Sequence, residues 1–359
     1  MEYRRKDSGL VKKEFFGTID GKEVFLYTLQ NERLSVSITN YGATLVKVIV
    51  PDRNGKPVDV LLGYDSAEEY RTGDANMGAL VGRCANRIAG DVTLNGQLCV
   101  LEKNEGNNCL HSAGGSTAFQ IWEVEEELCD DTHLYLSLRD KERTGGLPGN
   151  VDFSLCYELL EEALCVNLSG IPDKTTILNV TSHGYFNLSG NGRIAEQQVL
   201  IAADVYTPLL PESHTPDGSV KPVAGTKYDF RTLRPIGEEA YDDNFVLRHE
   251  GETLSTPDAI GLKNAPDVPG KAGGLHFAAE AYSPETGIRM KFFTDCPCLQ
   301  FYTGKFIPKQ KGKYGRQYGA FSGFCLEPQF APDAIHCKDY AQPVVEKGQQ
   351  YYFQMRLQF

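Results

Sequence analysis

The chain has 359 residues, with 41% apolar and 23% charged side chains, which is ordinary globular composition and enough length to bury a large core without disulfides or a structural metal. Its formal net charge of −12 argues against nucleic acid and anionic membrane surfaces as partners, because both are bound through clustered Lys and Arg side chains. Polyanionic small molecules are disfavoured more weakly, since a local basic pocket can sit on an acidic protein.

The N-terminal segment is polar from its start and lacks the apolar stretch of a signal peptide, and no apolar run is long enough to span a bilayer. These features predict a cytoplasmic protein without a membrane partner. Ten cysteines are spread from Cys84 to Cys337 without paired spacing, which favours buried reduced thiols. Cys296 and Cys298 are separated by one residue, a gap that fits neither zinc ribbons nor thioredoxin-like sites, so no metal site is predicted.

Period-2 alternation of apolar and polar residues dominates the chain and predicts strands with one buried face. Clear examples are residues 34–39, 134–139, 288–292 and 351–359. Turn signals separate such runs at 53–55, 94–96, 191–192 and 217–218.

One short helix is predicted to start at Ser66, where Ser66 and Glu69 match a capping box. The stretch from Gly251 to Gly274 is rich in Gly, Pro and Asp and predicts a long surface loop. No linker or repeat interrupts the chain. We therefore predict an all-β fold, a single large antiparallel β-sandwich domain over residues 1–359, with function carried in its loops.

Two histidines stand in contexts that suit ligand binding. His111 lies in a Gly-rich loop after a strand, where backbone can approach a ligand closely, and His183 lies among hydrogen-bonding and aromatic residues. Glu327 ends an apolar strand and precedes Pro328, so its position is stiff and its carboxyl partly desolvated, as suits a general base. Taken singly, each of these side chains is more often structural, or in the case of Glu327 a strand-end acid that faces water.

A Gly-flanked turn over residues 82–88 contains Arg83, Asn86 and Arg87. These side chains could bind sugar hydroxyls or form a surface charge pair, and the residue types alone do not distinguish these two roles.

Together these segments resemble the aldose 1-epimerase (galactose mutarotase) family nearly from end to end. The matching motifs occur in the family's order: 40–43 (NYGA), 59–64 (DVLLGY), 82–88 (GRCANRI), Leu110-His111, 183–188 (HGYFNL), 241–245 (YDDNF), 299–304 (LQFYTG) and Leu326-Glu327.

The resemblance implies a large β-sandwich with the sugar in an open cleft, no metal or organic cofactor, and a free aldose as the small-molecule substrate. It makes His183 the general acid and Glu327 the general base. It assigns sugar hydroxyl binding to Asn86, Arg87, His111, Tyr185, Asp242 and Gln300. Asp242 matches the family pattern better than its neighbour Asp243.

Anomer interconversion needs a base for the C1 hydroxyl proton and an acid for the ring oxygen. We therefore expect an ionised Glu327 and a protonated His183, with His111 and Arg87 polarising the ring oxygen or neighbouring hydroxyls.

This chain departs from the family where Ser112 and Ala113 stand between His111 and Gly114-Gly115, since a Gly-Gly directly after the histidine is usual. Residue 184 is Gly where Ser or Thr is common, and the 251–274 stretch is longer than typical. None of these departures removes a predicted catalytic group.

The sequence leaves three other functions open. A non-catalytic sugar-binding module usually stacks sugars on exposed Trp, and this chain has only Trp122. A relative acting on a hexose 6-phosphate calls for a basic cluster near the cleft. A glycosidase usually needs two facing carboxylates. The sequence leaves the oligomeric state open between a monomer and a homodimer.

Overall fold

The computed structural model describes residues 11–73, 75–248 and 274–359, and β-strands account for most of its regular structure. In chain order the first strands are β1 (Lys12–Ile19), β2 (Lys22–Gln30), β3 (Ser35–Thr39), β4 (Thr44–Pro51), β5 (Pro57–Asp59), β6 (Leu80–Val81), β7 (Arg87–Ala89), β8 (Val92–Leu94), β9 (Gln97–Cys99) and β10 (Asn108–Leu110). The next are β11 (Glu123–Val124), β12 (His133–Asp140), β13 (Val151–Leu159), β14 (Ala163–Pro172), β15 (Thr176–Ile177), β16 (Thr181–Ser182), β17 (Tyr185–Phe186), β18 (Gln198–Ile201), β19 (Ala203–Thr207) and β20 (Lys221–Pro222). The last are β21 (Arg234–Pro235), β22 (Asp242–Leu247), β23 (His276–Tyr282), β24 (Arg289–Thr294), β25 (Cys298–Tyr302), β26 (Gln310–Lys311), β27 (Gln317–Tyr318), β28 (Phe324–Gln329), β29 (Val344–Val345) and β30 (Tyr351–Gln358).

Helical structure is short. The α-helix α1 covers Ala67–Thr72, and 3₁₀ turns occur at Ala113–Gly115, Thr117–Phe119, Glu126–Leu128, Thr144–Gly146, Lys313–Gly315 and Ala334–His336. The predicted cap is confirmed, because the Ser66 hydroxyl accepts from the Glu69 amide at 3.4 Å and donates to the Glu69 carboxylate at 2.9 Å. Within the described part of the chain, no helix has the length and apolar character needed to cross a membrane.

The strands form three larger antiparallel sheets. The first has five strands in the order β1-β2-β3-β4-β5, the second has nine in the order β11-β12-β13-β14-β30-β24-β23-β18-β21, and the third has six in the order β17-β28-β25-β22-β19-β20. Smaller pairs join β10 to β7, β16 to β6, β8 to β9, β15 to β29 and β26 to β27. The predicted all-β antiparallel sandwich is therefore confirmed.

The predicted strands appear where the alternation placed them, as β3, β12, β24 and β30. In β30 buried and half-buried residues alternate without exception, as expected when one face packs against the core. Residues 251–273 of the predicted surface loop lie outside the described residues.

The main apolar core is built from residues of all three larger sheets. Phe153 and Phe353 contribute from the nine-stranded sheet, and Phe301, Phe324 and Leu326 contribute from the smaller, six-stranded one. Because side chains alternate along a strand, the intervening residues of β25 and β28 point to the opposite face of the smaller sheet. That opposite face carries the polar residues described next.

Candidate active site

Four adjacent strands of the six-stranded sheet each place one predicted site residue on the face away from the main core. Tyr185 comes from β17, Glu327 from β28, Gln300 from β25 and Asp242 from β22. Gln300 lies directly opposite Glu327 in the register, and its amide donates to Asp242 Oδ1 at 2.8 Å. Sheet pairing therefore fixes these side chains relative to one another.

His183 lies two residues before Tyr185, and its imidazole stacks on the Tyr185 ring with centroids 5.0 Å apart. Its Nε2 lies 3.7 Å from Glu327 Oε2, and both side chains are almost fully buried. The backbone of His183 is held from two sides, because its amide donates to Ala79 and its carbonyl accepts from Gly78. The two predicted catalytic residues thus face each other.

The antiparallel pair of β7 and β10 brings the remaining predicted residues to the same place. The backbone N–H of Asn86 donates to Nδ1 of His111 at 3.1 Å, and the backbone N–H of His111 donates to the backbone carbonyl of Asn86. The His111 ring contacts the His183 ring edge to face, with centroids 5.3 Å apart. Arg87 interacts electrostatically with both Asp242 and Glu327. The structure therefore gathers all the predicted site residues into one connected cluster.

Exposure within this cluster is graded. Arg87, His111 and Asp242 are partly exposed, whereas His183 and Glu327 are buried beneath them. The partly exposed members of the cluster are therefore hydrogen-bonding groups, whereas the imidazole–carboxyl pair has little contact with solvent.

Burial controls the ionisation of the pair. It raises the pKa of Glu327 well above its usual range, an effect that nearby Asp242 increases and Arg87 opposes. Burial lowers the pKa of His183 to about 4, and it also lowers the pKa of His111 well below its usual value. Both shifts act in the direction of the uncharged side chains, whereas the proton distribution expected from the sequence for the reaction is an ionised Glu327 beside a protonated His183.

Arg83 has neither of the two roles considered from the sequence, which were binding sugar hydroxyls and forming a surface charge pair. Its side chain is fully buried and paired with Asp140, and it also donates to the carbonyls of Pro148 and Lys141. A guanidinium satisfied in this way is structural, because its donors are already used within the fold.

Several neighbours of the site were not predicted from the sequence. Glu105 accepts two hydrogen bonds from the Arg87 guanidinium, at 2.6 and 2.8 Å, and Tyr302 contacts Tyr185 edge to face. Cys325 Sγ lies 3.6 Å from His183 Nδ1, and His183, Cys325 and Glu327 together form a group able to hold a metal ion. Cys325 could have been found, because it precedes Glu327 by two residues and so shares its face of the strand. Glu105 gives no such periodic signal.

The loop after His111 is strained where the chain departs from the family pattern. His111, Ser112 and Ala113 have φ angles of 54°, 61° and 50°, in the left-handed region that favours glycine. The Ser112 hydroxyl offsets part of this cost, because it accepts from the Cys84 amide at 2.8 Å and donates to the Cys84 carbonyl at 3.2 Å. The residues that depart from the family pattern therefore adopt a conformation that carries a backbone cost.

An antiparallel β-sandwich with a buried imidazole–carboxyl pair among amide, guanidinium and carboxylate groups defines an acid–base site suited to a polyhydroxylated small molecule. Comparison with known proteins agrees with this class. The sequence profile of the family described as Aldose 1-epimerase matches residues 26–358, and the chain belongs to that family.

Similar proteins are known from distant organisms. The chain is 33% identical to the galactose mutarotase of Mus musculus over 356 residues, which cover 95% of this chain and 96% of the mouse protein. It is 31% identical to the aldose 1-epimerase of Escherichia coli (strain K12) over 340 residues, or 92% of this chain and 94% of the bacterial protein. Curated relatives of these names are carbohydrate epimerases, and this chain is accordingly an isomerase of that kind.

Solved structures resemble the fold closely. A GalM/aldose epimerase homologue from C. elegans superposes with a TM-score of 0.82 at 24% identity, covering 97% of this chain and 98% of the other. A galactose 1-epimerase from Lactobacillus acidophilus gives a TM-score of 0.78 at 26% identity, covering 98% of both chains.

Proposed function

We propose that this protein is a mutarotase, an aldose 1-epimerase that interconverts the α and β anomers of free hexoses such as glucose and galactose. The observation that carries the proposal is the buried pair of His183 and Glu327, 3.7 Å apart, in a chain of the aldose 1-epimerase family. A base and an acid so close together suit a reaction that moves two protons at two oxygens of the same carbon.

Ring opening requires that the C1 hydroxyl lose a proton while the ring oxygen gains one. In our proposal Glu327 takes the proton from the C1 hydroxyl and His183 delivers one to the ring oxygen. The aldehyde then rotates about the C1–C2 bond, and the same two groups act in reverse to close the ring on the other face. No covalent intermediate or cofactor is required by this sequence of steps.

His183 and Glu327 share one transferable proton, which can reside either on the imidazole or on the carboxyl. Before opening, the reactive distribution has an ionised Glu327 and a protonated His183, and after opening both groups are uncharged. Burial stabilises the uncharged distribution, since desolvation raises the pKa of Glu327 and lowers that of His183. The site is therefore matched to the state that accompanies the open-chain aldehyde.

The remaining predicted residues are proposed to hold the sugar. The Asp242 carboxylate can accept hydrogen bonds from sugar hydroxyls, and the Gln300 side-chain amide, which donates to that carboxylate, lies beside it on the sheet. The Tyr185 ring stacks on the His183 ring and supports it. Arg87, Asn86 and His111 approach from the β7–β10 strand pair, where Arg87 and His111 can polarise the ring oxygen or neighbouring hydroxyls. We expect each to affect sugar binding more than the proton transfers themselves.

A hexose 6-phosphate is the less favoured substrate. The basic residues Lys227, Arg231 and Arg248 are already paired with Glu239, Asp229 and Asp204, respectively. Lys227 also interacts with Asp243, which alternates with Asp242 along β22 and therefore points to the other face of the sheet. Paired cations on that side are poorly suited to a phosphate bound beside Glu327.

Polarimetry tests the proposal directly. Freshly dissolved α-galactose or α-glucose should approach its equilibrium rotation faster in proportion to the amount of protein added. A protein that binds sugar without catalysing mutarotation would leave the spontaneous rate unchanged, and that result would overturn the proposal. Strong competition by glucose 6-phosphate would favour the phosphorylated substrate instead.

We further propose that the protein acts in the cytoplasm, where all ten of its cysteines, which are free thiols, would stay reduced. The expectation of a monomer or a homodimer can be tested by sedimentation of the full chain.

A further inference from the structure

The proposed mechanism gives no role to Cys325, although its thiol lies in the site. One donor atom each from His183, Cys325 and Glu327 lie within 4.8 Å of one another, and all three side chains are buried. Imidazole, thiolate and carboxylate are the three side-chain groups that bind Zn²⁺ in proteins. The strand β28 supplies both Cys325 and Glu327, whose i and i+2 spacing puts them on the same face.

The distances are close to those around a bound ion. Zn–S bonds of about 2.3 Å and Zn–N or Zn–O bonds of about 2.0–2.2 Å place tetrahedral ligands roughly 3.3–3.7 Å apart. Cys325 Sγ lies 3.6 Å from His183 Nδ1, and Glu327 Oε2 lies 3.7 Å from His183 Nε2. Because one ion binds only one nitrogen of the ring, the ligand on the other side must move by about 1 Å.

We propose that His183, Cys325 and Glu327 form an inhibitory binding site for Zn²⁺ or a similar thiophilic divalent cation. Binding requires a thiolate and a carboxylate, so it releases to solvent both the proton of the Cys325 thiol and the proton that burial favours on the Glu327 carboxyl. The two negative charges left behind balance the charge of the ion. Cations that prefer oxygen ligands, such as Mg²⁺ and Ca²⁺, should not compete at this site.

Inhibition follows from the identity of the ligands. The ion would occupy a lone pair of Glu327 and a nitrogen of His183, and these are the atoms that the sugar's protons must reach. Metal and sugar should therefore exclude each other. This inhibitory consequence rests on the proposed function, whereas binding of the ion does not.

Cobalt provides a spectroscopic test that needs no catalytic activity. The full-length protein, freed of metal with a chelator, is titrated with Co²⁺ while near-ultraviolet absorption from thiolate-to-cobalt charge transfer is recorded. We expect such a band in the wild type, its loss in Cys325→Ser, and its retention in Cys298→Ser, which changes another buried cysteine in the neighbouring strand β25. No band in the wild type, or a band that survives Cys325→Ser, would overturn the proposal.

Two measurements complete the test without relying on the fold of a variant. Galactose added to the cobalt-loaded wild type should remove the band, and a band unaffected by saturating galactose would contradict a shared site. In polarimetry, Zn²⁺ should inhibit the wild type reversibly, with recovery on adding EDTA. The Zn²⁺ concentration that halves the activity should rise at least about tenfold in Cys325→Ser relative to that variant's own metal-free rate.

The possible failures are distinguishable. A cobalt band in a protein without mutarotase activity would refute the proposed function and leave the metal site intact. Full mutarotase activity without a band, and without inhibition by Zn²⁺, would refute the metal site alone.

Discussion

His183 Nε2 lies 3.7 Å from Glu327 Oε2, and sheet pairing and backbone contacts fix this distance. Tyr185 pairs with Cys325 in the register of β17 and β28, so the segments that carry the imidazole and the carboxyl are hydrogen-bonded neighbours. A pair positioned in this way needs little rearrangement before proton transfer, which is the condition for effective acid–base catalysis.

Glu327→Gln and His183→Asn should each lower kcat by about 10²–10⁴-fold, because neither replacement can exchange a proton at neutral pH. Polarimetry measures the rate, and circular dichroism checks that each variant is folded. The surface pair His133 and Glu158 provides a matched control, since it has the same 3.7 Å separation but about a third of each side chain is exposed. His133→Asn and Glu158→Gln should mutarotate normally, and a near-normal rate in Glu327→Gln or His183→Asn would refute the assignment.

The pH dependence follows from the two pKa shifts. Below about pH 4 His183 gains a proton while Glu327 is already protonated, so the site lacks a base. Above the raised pKa of Glu327 the carboxylate is ionised and His183 is neutral, so the site lacks an acid. We expect kcat/KM, measured with EDTA present, to form a plateau between these limits, whose apparent values belong to the coupled pair. A rate independent of pH across both limits would exclude the pair as acid and base.

The sequence predicted the fold well because its signals are local. Alternation in residues 134–139 and 351–359 sets which face of each strand is buried, and the structure has β12 and β30 there. The site residues were predicted through the family resemblance, since spacing alone does not reveal that strands β22, β25 and β28 are neighbours. Such pairing is a non-local property of the sheet.

What the sequence could not reveal depends on burial and on contacts between distant segments. Arg83 and Arg87 occur in one short turn, yet one is buried against Asp140 and the other belongs to the site. The lowered pKa of His183 likewise could not be predicted from the sequence, because its desolvation depends on everything packed around the imidazole.

Asp242→Asn should act on both binding and ionisation. The carboxylate of Asp242 raises the pKa of Glu327, so its neutralisation should move the alkaline limit of the kcat/KM profile to lower pH. Loss of a charged acceptor should also raise KM, by roughly tenfold for one charge-assisted hydrogen bond. Asp243→Asn is the matched control, because this carboxyl alternates to the other face and accepts from the Asp242 amide. Equal shifts in both variants would contradict a specific role for Asp242.

Glu105→Gln should loosen Arg87 without removing it. The Glu105 carboxylate accepts two hydrogen bonds from the guanidinium, whereas an amide offers one acceptor and turns a donor toward the cation. We expect KM for galactose to rise about three- to tenfold with a smaller change in kcat, because Arg87 would still be present but less well oriented. Asp91→Asn removes the nearby ion pair with Lys103, which does not contact Arg87, and should leave both constants unchanged. A fall in kcat alone would contradict the positioning role.

Gly78→Ala should lower both the free energy of unfolding and kcat. Gly78 has φ +71° and its amide donates to the His183 carbonyl, while an added Cβ would lie 2.0 Å from the Leu45 carbonyl oxygen. Gly96 has nearly the same φ, +78°, with open space around it, so Gly96→Ala isolates the conformational cost of about 1 kcal/mol. The clash should add about 1–3 kcal/mol in Gly78→Ala, measured by urea unfolding. Because the displaced backbone carries His183, this variant should also lose kcat, whereas Gly96→Ala should keep it. Equal stability of the two variants would show that the Leu45 contact relaxes without cost.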